Sequence, residues 1–240
     1  MKNLILTTAL LALTAGSAMA QTVRMGTEGA YPPYNFINDK GEVDGFEREL
    51  GDKLCEMAAL TCEWVTTDWD GIIPNLQSGN YDTIIAGMNI TAERAEVLAF
   101  TQNYIPPASS AYMALDAGTD VMKGVIAAQT GTVQAAHVAA SGATLLEFAT
   151  PDETVAAMRN GEADAVFADK DYLVPILDES AGKFAWAGTE VQIGDGVGMG
   201  LRKSDTELVE KFNAGITAMK ADGSLNTLIT KWFGEKAVTF

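Results

Sequence analysis

Two stretches of this chain repeat one pattern, and the repeat limits the possible folds more than any other feature. Leu76-x-x-Gly79-x-x-Asp82-x-Ile84-x-Ala86 matches Met158-x-x-Gly161-x-x-Asp164-x-Val166-x-Ala168 position for position. Each reads as the end of a helix, a glycine stop and a buried strand. Two such units predict two α/β lobes whose strand ends face each other. Ligands of open parallel sheets bind outside the carboxyl ends of the strands. The residues after each strand are therefore equivalent candidates for a shared site: Gly87–Asn89 in the first half, Asp169 in the second.

The lobes begin after residue 20. Lys2, the apolar run Leu4–Leu13 and the small-x-small pattern Ala18-Met19-Ala20 read as a secretory leader (1–20), with Gln21 as the mature N-terminus. No later stretch approaches the length of a membrane span, and no lipidation cysteine sits at the cleavage point. With 16 Lys+Arg against 32 Asp+Glu, a net charge of −16 disfavours nucleic acid and anionic lipid as partners. In an oxidising compartment the only cysteines, Cys55 and Cys62, read as a short-loop disulfide contributing roughly 2–3 kcal/mol. A metal site is the weaker reading, since no further ligands are spaced nearby and His137 is the sole histidine.

In order, Val23–Thr27 reads as a strand and residues 28–36 as an aromatic, proline-rich loop. A turn at Asn38–Gly41 leads to a helix with Phe46, Leu50, Leu54 and Met57 on its apolar face. The strand Cys62–Thr66, a loop at Trp69, a helix Ile72–Gln77 and the strand Thr83–Ala86 follow. Thr91 is placed to cap the next helix, which puts Arg94 three positions into it. Residues 104–110 read as a crossover. The second series predicts strands Val125–Ala128, Leu145–Phe148 and Ala163–Ala168. Its helices are Thr132–Ala140, one capped by Asp152 and running to Asn160, and Asp169–Glu179. A strand Val197–Leu201 and helices Thr206–Lys220 and Leu225–Phe233 close the chain. Leu208, Phe212, Ile216 and Met219 form the apolar face of the first of these helices.

The loops at the strand ends hold Glu28, Tyr31, Trp69, Asn89, Arg94, Thr130–Thr132 and Asp169. A cation at a helix start opposes the helix dipole, so Arg94 needs something negative. Two readings stay open for it: a salt bridge to Glu93, Glu96 or Glu47, or a bound anion held bidentately. Asp169 either pairs with an ammonium or caps the helix it begins. Tyr31 and Trp69 are either core aromatics or stacking surfaces for a flat or cationic group. Glu28 supplies a second anion. Together these residues form the negative image of a free α-amino acid with a positive end. No Cys–His or Ser–His pairing suggests covalent catalysis, and His137 reads as a surface residue of an alanine-rich helix. The glycines from Gly194 to Gly200 lack the following helix that a phosphate loop requires.

At several motifs the chain resembles the periplasmic amino-acid-binding proteins of ABC importers, solute-binding protein family 3. The cluster includes lysine/arginine/ornithine, histidine, glutamine and opine binders. The motifs are Gly26–Phe36 (GTEGAYPPYNF), Asp44–Phe46 (DGF), Asp70–Pro74 (DGIIP), Asp82–Arg94 and Gly196–Arg202. The tail from Ala221–Ser224 through Lys231–Gly234 matches as well. The resemblance implies that Arg94 grips an α-carboxylate, with backbone N–H groups at Asn89 and around Thr132 and Val133. It gives the α-ammonium to Asp169, beside Asn89 and the Gly87 carbonyl. It makes Tyr31 and Trp69 an aromatic sandwich, and Glu28 the contact for the distal end. The cysteine pair sits where the basic-amino-acid subgroup carries a disulfide. Where relatives often carry serines this chain has Ala86 and Gly87, and Val133 replaces a frequent threonine.

The expected fold is an α/β, two-lobed type II periplasmic binding protein, each lobe a mostly parallel sheet flanked by helices, joined by two hinge strands. Lobe 1 comprises residues 21–105 and 196–240, and lobe 2 residues 109–193. The expected function is capture of an amino acid, arginine or a related basic one first, for delivery to an ABC permease by a periplasmic monomer without cofactor or metal. An opine, glutamine or histidine is the alternative ligand. Two rivals of other classes are a dehydratase-like enzyme on the same fold, with Glu28 as its acid–base group, and a receptor sensor domain. The second requires a transmembrane segment, which the sequence does not contain.

Overall fold

The computed structural model describes residues 22–240; the leader and Gln21 lie outside the described residues. Elements follow in the order β1 (Thr22–Thr27), β2 (Ala30–Tyr31), β3 (Asn35–Ile37), β4 (Val43–Asp44), α1 (Phe46–Met57) and β5 (Thr61–Thr66). Then come α2 (Ile72–Gln77), β6 (Thr83–Ile84), α3 (Ala92–Val97) and β7 (Ala99–Phe100). The middle of the chain supplies β8 (Ser109–Ala114), β9 (Val125–Gln129), α4 (Val133–Ser141), β10 (Thr144–Phe148), α5 (Pro151–Asn160), β11 (Ala165–Asp169), α6 (Lys170–Glu179) and β12 (Ala185–Gln192). The remainder is β13 (Gly200–Leu201), α7 (Thr206–Ala221) and α8 (Ser224–Phe233).

Ten of these strands form two five-stranded sheets with the same plan, and β2, β3 and β4 form a small antiparallel sheet of their own. The first has the order β5-β1-β6-β13-β7, the second β10-β9-β11-β8-β12. In each, two strand pairings are parallel and two antiparallel, so that one strand, β13 or β8, runs against the other four. The chain passes between the sheets twice, from β7 to β8 and from β12 to β13. Isolated bridges join Val197 of the return passage to Ile105 of the outward one and to Asn89.

The internal repeat has a physical cause. Gly79 and Gly161 both end their helices at φ +78°, a left-handed conformation that suits glycine. Asp82 then clasps the neighbouring strand β1. Its N–H donates to the Arg24 carbonyl at 2.9 Å, and its carboxylate accepts from the Arg24 N–H at 3.0 Å. Asp164 makes the same two bonds with Val125, at 2.7 and 2.7 Å. Each aspartate thus fixes where β6 or β11 begins, and so where the chain emerges at the carboxyl end.

Several expectations need correction. Asp152 does not cap α5: Thr150 does, accepting from the Glu153 N–H at 3.4 Å while Glu153 accepts from the Thr150 N–H at 3.0 Å. Pro151, which has no N–H to satisfy, takes the first helical position between them. Phe46, Leu50 and Leu54 are buried, but Met57 ends α1 at 44% exposure, past the rim of the core. Phe212, Ile216 and Met219 are buried, with Leu208 half-buried against the same core. His137 is half-buried, its ring 5.3 Å from that of Phe167. Residues 28–36, read as a loop, carry β2 and the start of β3, and the sequence pattern offers no counterpart of β8 and β12. Cys55 and Cys62 form a disulfide linking α1 to β5.

Candidate functional site

Asp169 ends β11 and starts α6, yet its side chain makes no cap bond to that helix. Its carboxylate instead accepts from the Tyr31 hydroxyl at 2.9 Å, the Asn89 side-chain amide at 3.4 Å and the Gln134 side-chain amide at 3.0 Å. Two of these donors, Tyr31 in β2 and Asn89 beyond β6, come from the first half of the chain, so the carboxylate joins the two halves. Burial raises its pKa; the three donors and the Arg94 charge work against that rise.

Arg94 occupies the first turn of α3, whose start is fixed by Thr91 accepting from the Arg94 N–H at 3.2 Å. The guanidinium reaches back over the strand ends. It donates to the Asn89 carbonyl at 3.0 Å and to the Gly131 carbonyl at 3.4 Å, and stands 5.4 Å from the centre of the Trp69 ring. Glu47 is bonded elsewhere, to Tyr104, Gly87 and Asn35. Among the described residues neither Glu93 nor Glu96 pairs with Arg94. Burial pushes the guanidinium down to about 10, partly offset by the charges of Asp169 and Glu93.

The other end of the cleft is acidic. Glu28, just past β1, accepts from the Gln129 side-chain amide at 2.6 Å across the gap between the sheets. The second N–H of that amide donates to the Ala149 carbonyl at 3.0 Å. Burial raises the Glu28 carboxyl to about 7; the Gln129 bond opposes the rise, and Asp68, Asp152 and Glu47 add to it.

Tyr31 enters as part of a stack, 4.4 Å from the ring of Tyr172 and 5.6 Å from that of Tyr34. Thr132 caps α4 by accepting from the Ala135 N–H at 3.1 Å. Val133 is the first helical residue, so its N–H has no partner within the helix.

The structure brings Glu28, Tyr31, Trp69, Gly87, Asn89, Arg94, Thr132, Val133 and Asp169 around one cleft. Ala86, Gln129 and Gln134 line it too. Sequence reasoning missed the two glutamines as partners of Glu28 and Asp169. The available signal was positional: Gln129 ends β9 and Gln134 lies in the first turn of the helix that follows. Among the described residues no group of three or more His, Cys, Asp or Glu side chains could hold a metal ion. None of the described helices is long and apolar enough to cross a membrane.

Comparison with known proteins places this geometry. The family model of bacterial extracellular solute-binding proteins, family 3, matches residues 23–235. The lysine/arginine/ornithine-binding periplasmic protein of Escherichia coli is 31% identical over 92% of this chain and 91% of its own length. The L-arginine-binding protein of Pseudomonas aeruginosa is 34% identical over 90% and 89%. Among solved structures, a periplasmic His/Glu/Gln/Arg/opine family-binding protein from Silicibacter pomeroyi, in complex with lysine, is 69% identical. It superposes with a TM-score of 0.89, covering 91% of this chain and 100% of that one. With nearly its whole described length matched, in sequence and in fold, the chain belongs to the bacterial extracellular solute-binding proteins of family 3.

Proposed function

We propose that the cleft captures a free amino acid with a cationic side chain, arginine first, and presents it outside the cytoplasmic membrane to an ABC permease. The observation that carries this reading is Glu28. A carboxylate in a closing cleft is costly without a cation, and the hydrogen-bond donor Glu28 meets is a neutral amide. A guanidinium offers it two in-plane bonds, and its faces suit Tyr31 and Trp69. At the far end Arg94 takes the α-carboxylate, helped by the Val133 N–H, and Asp169 takes the α-ammonium. The names of the relatives support the amino-acid class, and the lysine in the Silicibacter pomeroyi structure supports a basic side chain. Lysine is the second reading; its ammonium carries the charge without the plane, so arginine binds more tightly.

Residues 21–105 with 196–240, and 109–193, move as two lobes about the two crossovers. The ligand bridges them and favours the closed state through contacts it makes only there. The reading is of a periplasmic monomer that binds without turnover. A thermal-shift screen of the common amino acids and guanidinium opines tests it, since a ligand at a hundred times its Kd stabilises by about 2.7 kcal/mol. Arginine should give the largest shift. A larger shift from glutamine, or turnover of keto or prephenate-type acids, contradicts it.

A further inference from the structure

Glu47 sits in the first turn of α1 with none of its surface exposed. Three donors converge on its carboxylate: the Tyr104 hydroxyl, the Gly87 N–H at 2.6 Å and the Asn35 side-chain amide at 2.7 Å. Among the described residues no cation pairs with it. A buried carboxylate is a poor choice for stability alone, because an apolar residue of similar volume avoids the desolvation. The three donors are also not scattered. Gly87 lines the cleft. Asn35 passes the link on, its amide oxygen accepting from the Gly29 N–H at 2.7 Å, next to Glu28. Tyr104 lies in the outward crossover beside Ile105, which is bridged to the return passage.

The bond to Gly87 has a directional consequence. In a planar trans peptide the N–H and the preceding carbonyl point opposite ways. Holding the Gly87 N–H on Glu47 therefore turns the Ala86 carbonyl away from Glu47. Gly87 has φ +62°, a left-handed conformation that suits glycine, while a Cβ there would meet the Tyr31 ring at ordinary contact distance.

We propose that Glu47 is a positioning residue of the binding site. It is a fixed internal acceptor that sets the orientation of the Ala86–Gly87 peptide lining the cleft and, through Asn35 and Gly29, holds the loop that presents Glu28 to the ligand's distal end. This rests on the reading of the cleft as an amino-acid site. Calorimetric titration of the parent with arginine and glutamine tests that reading on its own; a parent that binds neither sinks the reading.

Given a parent that binds, Glu47→Gln should weaken arginine and glutamine alike, by tenfold or more. It should also move the Gly87 amide proton resonance upfield as its carboxylate acceptor is lost. Asn35→Ala should weaken both ligands, and arginine at least threefold more than glutamine, because it removes a donor from Glu47 and also cuts the link toward Glu28. If Glu47→Gln does not fold, Tyr104→Phe keeps the carboxylate and removes one donor; it should weaken both ligands at least threefold and shift the Gly87 resonance. A Glu47→Gln protein that melts earlier but binds within threefold of the parent overturns the proposal, as does a Tyr104→Phe protein with both affinities and the Gly87 resonance unchanged.

Discussion

At one end of the cleft the Asp169 carboxylate accepts from three side chains and has the Arg94 charge acting on it. At the other end Glu28 accepts from the amide of Gln129 and is surrounded by further acids, Asp68 and Asp152 among them. The first end carries both charge signs, which matches the two charges every α-amino acid has. The second carries one sign. In the proposed reading such a site separates two tasks: the Arg94–Asp169 end recognises the class, and the Glu28 end selects within it.

Removing the class-recognising charge should have the largest effect. Arg94→Met should abolish binding of every amino acid whatever its side chain, because breaking one partner of a buried charge pair costs about 3–5 kcal/mol. Calorimetry that finds the variant within threefold of the parent rules out the carboxylate role. Glu28→Gln should act on one ligand class only, weakening arginine at least tenfold, about 1.4 kcal/mol, and leaving glutamine nearly untouched.

Acidity should sharpen the same contrast without mutation. The Glu28 carboxyl is raised from 4.5 to about 7 by burial. Between those values the folded, ligand-free protein holds a proton that the unfolded chain releases. Its fold therefore loses stability as pH rises through that window. Arginine affinity should move the opposite way, rising between about pH 6 and about pH 8 as the carboxylate ionises. In Glu28→Gln both slopes should flatten, and titrations at several pH values check this. A parent whose arginine affinity is flat over that range contradicts the ionisation of Glu28 as the selecting event.

The smallest effect on binding should come from the disulfide. Thiol titration of denatured, unreduced protein should find no free thiol, and two per chain would refute the bond. Reduction should lower stability by roughly 2–3 kcal/mol while leaving the ratio of arginine to glutamine affinity unchanged, because Cys55 and Cys62 tie α1 to β5 away from the cleft.

How much of this was legible in the sequence followed from how local each interaction is. The repeat located both strand ends because the glycine stop and the aspartate clasp are short-range devices with fixed spacing. The Thr91 cap likewise placed Arg94. Strands β8 and β12 escaped notice because their partners are far apart in sequence and β12 is interrupted by a register shift between Ala187 and Val191. Asp152 was read as the α5 cap because aspartate often caps helices, yet Thr150 two residues earlier had glutamate at the third helical position and proline at the first. Gln129 and Gln134 were missed because a neutral amide announces no partner until the opposite sheet is in place. Glu47 enters the sequence reading only as a salt-bridge candidate for Arg94. The signal for its burial is its place with Gly51 and Leu54 at four- and seven-residue spacing, on a face that proves buried.

The selecting role of Glu28 is tested most directly by titrating the parent protein with arginine and with glutamine, in one buffer at about pH 8, where the carboxylate with its pKa of about 7 is ionised. Arginine should bind at least tenfold more tightly, about 1.4 kcal/mol. Glutamine binding as tightly as arginine, or more so, contradicts it.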